Sequence, residues 1–99
     1  KKGLPPLSGS DVLLFLKGIP AWQVKDGNKA IARQFKFKNF VKSLEFVNLV
    51  GKIAEDEGHH PDILFGWGYC DIVLQTHSIG GLHDNDFIIA AKIDRIYSS

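Results

Sequence analysis

At Asn39 the spacing of apolar residues changes from two to about 3.6, and that change confines the chain to a mixture of strand and helix. Ahead of it, Ile31, Phe35 and Phe37 fall on one side of an extended run, with Gln34, Lys36 and Lys38 on the other. This is the pattern of a half-buried antiparallel strand. Behind it, Phe40, Leu44, Val47, Val50 and Ala54 form a helical stripe that Phe46, Leu49 and Ile53 widen. Asn39 can cap the start of that helix, and Gly58 can take the left-handed conformation that ends it.

The flanking segments add further elements. Ser8-Gly9-Ser10-Asp11 ahead of Val12, Leu13, Phe15 and Leu16 predicts a short first helix, capped by Ser8 and stopped by Gly18. Asp26-Gly27, between the runs 22–25 and 29–37, predicts a hairpin. Two further strands are expected at 63–67 and 69–77, where Cys70, Ile72, Leu74 and Thr76 alternate with Tyr69, Asp71, Val73 and Gln75. A glycine-bearing loop at 78–82 leads to a last helix opened by Asp86 and running through Phe87, Ile88, Ala90, Ala91, Ile93 and Ile96. The order α-β-β-α-β-β-α predicts the α+β class, a four-stranded antiparallel sheet with three helices packed on one face. Ninety-nine residues suit a single domain over 1–99.

Composition removes several classes of function. With 44% hydrophobic and 23% charged residues the chain is globular, and no apolar run approaches the roughly 20 residues a membrane span needs. A single cysteine, Cys70, excludes an internal disulfide and a Cys-rich zinc module, and its place on the buried side of its strand makes it an apolar filler. Residues 1–52 hold ten basic and three acidic side chains, while 53–99 hold two and eight, a split of +7 against −6. In a nearly neutral chain such halves attract one another, or let like subunits pair head to tail. Phe35-x-Phe37 with its lysines lacks the glycines and strand order of an RNA-binding platform, so no nucleic-acid partner is expected. The lone cysteine and the lack of a signal sequence point to the cytoplasm. The absence of methionine with Lys1 in front points to a trimmed start, upstream of which any targeting segment would lie.

All four histidines lie between positions 59 and 83, among Glu55, Asp56, Glu57, Asp62, Asp84 and Asp86. Imidazole gives and takes protons near neutral pH, and an adjacent carboxylate fixes its tautomer, so proton transfer is the chemistry this clustering favours. A metal site is the rival. However, His59 and His60 are adjacent and diverge, and no i, i+4 histidine pair or C-x-x-C pair is present, so no metal is expected. There is no G-x-S-x-G elbow, phosphate-binding loop or dinucleotide fingerprint. The bland alternative for His59 or His60 is a charge partner at a helix C-terminus, and for His83 an ordinary loop residue.

Glu55-x-x-x-His59-His60-Pro61, then five residues to Trp67, nine to His77 and eight to Asp86, resembles the signature of the pterin-4a-carbinolamine dehydratases. Trp22, the run Phe35 to Phe40, Thr76-His77 and Gly81-Leu82 extend the resemblance to about 90 of the 99 residues. It implies a cofactor-free dehydratase of 4a-hydroxytetrahydropterins in tetrahydrobiopterin recycling. By the same resemblance His59 and His77 are the acid–base pair and His60 mainly holds the pterin. Glu55 and Asp86 orient histidines or bond the ring, and Thr76, Trp67 and Pro61 bind or orient the substrate. His83 stands where the family usually has Ser or Thr, which makes Asp84 the candidate cap of the last helix.

The resemblance also implies a homodimer or homotetramer; independently of it, the 69–77 strand or its neighbour is the candidate free edge, and the wide apolar girdle of the long helix, with Phe40, Phe46 and Leu49 beyond one stripe, is a second contact surface. Relatives of the family act as a dimerisation cofactor for a transcription factor. A pure interaction role is therefore the alternative function.

Overall fold

The computed structural model describes residues 5–98. Its elements are α1 (Gly9–Leu16), β1 (Gln23–Lys25), β2 (Ala30–Lys36), α2 (Phe40–Glu57), β3 (Asp62–Gly66), β4 (Tyr69–Leu74) and α3 (Asp84–Ser98), with a 3-10 turn at His77–Ile79. The four strands form one antiparallel sheet in the order β1-β2-β4-β3. The expected α+β architecture and element order are therefore present.

Local chemistry explains the boundaries. The Ser8 hydroxyl accepts from the Asp11 amide, and the Asn39 side chain accepts from the Lys42 amide, so both predicted N-caps are made. The β1–β2 loop spans four residues, 26–29, and Asp26, Gly27 and Asn28 all take the left-handed conformation (φ 52°, 61° and 70°). Asp, Gly and Asn are the residue types that tolerate it.

Register places Val24, Ile31, Phe35, Cys70, Ile72, Leu74, Ile63 and Phe65 on one face of the sheet. That face meets Val12 of α1, Phe46 and Val50 of α2, and Phe87, Ile89, Ala90 and Ile93 of α3 in one core. Trp22 Nε1 and the Arg33 guanidinium both donate to Asp94 Oδ1, at 2.8 and 2.7 Å, tying the residue just before β1, and β2, to α3 across the two oppositely charged halves. Among the described residues, no helix is long and apolar enough to cross a membrane.

The structure corrects four expectations. The 69–77 strand ends at Leu74, because Thr76 instead bridges to Gly81 and His77 enters the 3-10 turn. That strand, β4, lies inside the sheet between β2 and β3, so of the two edges named it is its neighbour β3 that is free. The buried stripe of α2 runs through Ser43, Phe46, Val50 and Ala54, leaving Phe40, Leu44 and Leu49 exposed. Finally, α3 begins at Asp84 rather than Asp86.

Candidate active site

Three chain ends meet at one end of the sheet: the C-terminus of α2, the exit from β4 and the N-terminus of α3. Gly58 (φ 62°, ψ 31°) closes α2, its amide bonding to the Glu55 carbonyl while the next amide, of His59, bonds to the Ala54 carbonyl at 3.1 Å. This pair of bonds is the Schellman ending, and it needs a residue that accepts positive φ at the glycine. It also turns the chain so that His59 and His60 leave the helix beside its last turn. Pro61, half-buried, follows and biases His60 towards extended backbone, leading into β3.

His59 Nε2 lies 2.6 Å from Asp86 Oδ1. Asp86 is fully buried, and its second oxygen, Oδ2, accepts from the Thr76 hydroxyl at 2.8 Å and the His83 amide at 2.9 Å. Both carboxylate oxygens are thus engaged by groups from three segments. The first turn of α3 adds the favourable field of a helix N-terminus. Asp84 is exposed, and the turn that begins α3 is closed by Asp86, whose amide donates to the His83 carbonyl at 3.0 Å and whose carboxylate reaches back to the His83 amide. The expected cap by Asp84 is replaced by this contact, in which His83 takes part through its backbone amide, a donor that no residue type announces.

A second histidine–carboxylate pair lies beside the first: His60 Nε2 is 2.5 Å from Glu55 Oε2. It differs in setting, since the two side chains are 63% and 77% exposed, against 14% and 0% for His59 and Asp86. Lys92 pairs with Glu57, fastening the end of α2 to α3.

His77, exposed, follows Thr76 directly, and its carbonyl accepts from the Gly80 amide. Its loop is held closed by the Thr76 amide donating to the Gly81 carbonyl at 2.8 Å. Gly81 is needed where it stands, because a Cβ there would come within 2.6 Å of the Pro6 ring. Just beyond it, the Leu7 amide donates to the Leu82 carbonyl and lays the N-terminal segment against this loop.

The structure therefore gathers Glu55, His59, His60, Pro61, Thr76, His77 and Asp86 at one end of the molecule. It places Trp67 elsewhere, 71% exposed at the tip of the β3–β4 hairpin. That is six residues beyond Pro61, or roughly 20 Å along an extended strand. Among the described residues no three His, Cys, Asp or Glu side chains are grouped as metal ligands would be. Cys70, in the core, has its thiol pushed up to about 11 by burial and by the neighbouring Asp71 charge, which suits a packing role rather than a nucleophile.

Comparison with known proteins bears on the chain's family. Residues 5–96 match the family described as "Pterin 4 alpha carbinolamine dehydratase". A relative from Methylococcus capsulatus is 49% identical over 95% of this chain and 82% of its own length, and one from Rubrobacter xylanophilus is 47% identical over 97% and 89%. Both carry the name "Putative pterin-4-alpha-carbinolamine dehydratase". A crystal structure from Brucella melitensis, titled a transcriptional coactivator/pterin dehydratase, superposes with a TM-score of 0.88 at 34% identity, covering 93% of this chain and 98% of that one. A pterin dehydratase-like protein identified as a RuBisCO assembly factor shares the fold, with a TM-score of 0.69 at 22% identity over 80% of this chain and 92% of that one.

Proposed function

Because the chain belongs to the pterin 4 alpha carbinolamine dehydratase family, we propose that it dehydrates a 4a-hydroxytetrahydropterin to quinonoid dihydropterin and water, as in tetrahydrobiopterin recycling. The observation that carries this reading is the buried Asp86 carboxylate fixed onto His59, with His77 one residue from Thr76 on the same loop. The elimination needs two proton movements. An acid protonates the 4a-hydroxyl as the C4a–O bond breaks and water leaves; the N5 electron pair forms the N5–C4a double bond, and a base takes the proton from N5. His59 and His77 form the acid–base pair, typically worth about 10²–10⁴-fold in rate.

His60, with Glu55 at the exposed rim, holds the pterin ring beside Pro61. The chemistry uses side chains alone and asks for no cofactor. The direct test is to generate the 4a-hydroxytetrahydropterin and follow its ultraviolet decay with and without the protein. Acceleration supports the reading and an unchanged decay rejects it.

We further propose that the protein works as a homo-oligomer. β3 is a free sheet edge, and Phe40, Val41, Leu44 and Leu49 leave a broad apolar surface on α2. The same surface would serve a protein partner in the alternative, interaction-only role. The His–carboxylate pairs favour catalysis, since a docking module has no use for a buried charge aimed at a histidine.

A further inference from the structure

We propose that Thr76 is a positioning residue which, with the His83 amide, holds Asp86 so that His59 stays in its Nε2–H tautomer and presents Nδ1 as the nitrogen that works on the substrate. The activity arm of this proposal rests on the dehydratase reading above; the tautomer arm does not.

The argument is one of donor and acceptor capacity. An ionised carboxylate only accepts hydrogen bonds, and a neutral imidazole has one N–H and one lone pair. Oδ2 of Asp86 is committed by two donors, the Thr76 hydroxyl at 2.8 Å and the His83 amide at 2.9 Å. The amide has no other choice of role, and together they fix the plane of the carboxylate. Oδ1 then faces His59 Nε2 at 2.6 Å with nothing to offer but lone pairs, so Nε2 must carry the proton. Nδ1 is left with its lone pair, ready to accept a proton or, once charged, to donate one. The other end of the chain of contacts is equally fixed. Thr76 is buried, and its backbone is bonded in both directions with Gly81, so its hydroxyl has little freedom to wander.

The pair of His60 and Glu55 provides an internal contrast. It has a similar short contact, but both side chains are mostly exposed and, among the described residues, no further donor anchors Glu55 in the way Thr76 and His83 anchor Asp86. Identical chemistry is thus held stiffly at His59 and loosely at His60, which fits proton transfer at the first and ring binding at the second.

The experiment combines imidazole nitrogen NMR with kinetics on wild type, Thr76→Val and Thr76→Ser. Wild-type His59 is expected as the Nε2–H tautomer, with mixed tautomers in Thr76→Val and the wild-type pattern restored in Thr76→Ser. In the dehydration assay Thr76→Val should lose about tenfold or more in kcat with KM little changed, and Thr76→Ser should recover most of it. Wild-type His59 found as the Nδ1–H form overturns the proposal, and this spectrum needs neither a folded valine variant nor an active enzyme. A folded Thr76→Val protein with unchanged tautomer and kcat overturns it as well. Failure of wild type to dehydrate the carbinolamine, with the Nε2–H tautomer present, would reject the dehydratase reading while leaving the positioning of His59 intact.

Discussion

Replacing Asp86 by Asn and Glu55 by Gln makes the same isosteric change at two histidine–carboxylate pairs, and the structure predicts very different consequences. Asp86 is fully buried and accepts from Thr76 and His83 as well as facing His59. An asparagine can keep its one oxygen towards Thr76 and His83, but its amino group then faces His59 and forces that ring into the opposite tautomer. The three hydrogen bonds then persist but lose the charge of the carboxylate, and since a bond to a charged group is worth about 1.5–3 kcal/mol against about 0.5–1.5 for a neutral one, the change costs about 1–1.5 kcal/mol. At roughly 4–8 °C per kcal/mol for a domain of this size, melting should fall by roughly 4–12 °C. The wrong tautomer should cost about 10²–10⁴-fold in kcat. Glu55→Gln alters a pair whose side chains are mostly in water, so melting should move by no more than about 2 °C, with a mild effect on KM. Thermal unfolding by circular dichroism and steady-state dehydration measure both quantities. An Asp86→Asn protein with wild-type melting and rate, or a Glu55→Gln protein as damaged as Asp86→Asn, would refute the reasoning.

Other expectations follow from the same geometry. His60→Ala should raise KM more than it lowers kcat, whereas His83→Ala, which keeps the backbone amide that bonds Asp86, should leave both close to wild type. Cys70 should resist alkylation at pH 8, where a thiol titrating near 11 is about one part in a thousand thiolate, and should react rapidly once denaturant opens the core; prompt stoichiometric labelling of native protein would contradict this. Light scattering at micromolar concentration should give the mass of a dimer or tetramer, and Leu49→Glu, on the exposed side of α2, should lower it if that face is a contact; a monomer in wild type would count against both β3 and α2 as interfaces.

Much of this fold was legible because its boundaries are set locally. Asn39 and Gly58 bracket α2 through contacts within a few residues, and the period-2 pattern of Cys70, Ile72 and Leu74 is buried as read. What the sequence obscured depends on partners far along the chain. The apolar girdle of α2 is wider than the core it meets, so periodicity alone could not tell that Phe46 and Val50 face inward while Leu44 and Leu49 face out. Nor could it tell that β4 pairs with both β2 and β3, which makes it interior. At the site, the residue types and the segment carrying them were recognisable. The assignment of Asp86 to His59 and Glu55 to His60 was not, because the first pair spans 27 residues and depends on how α3 docks. The role of the His83 amide was invisible for a simpler reason: a backbone donor has no residue type to read.

The central claim, that His59 and His77 carry the proton transfers, is tested most directly by the rate of carbinolamine dehydration in a folded variant with both replaced by alanine. The account predicts that this variant binds pterin yet leaves the decay of the 4a-hydroxytetrahydropterin at its uncatalysed rate, while wild type accelerates it. Dehydration at the wild-type rate by the folded double variant would contradict it.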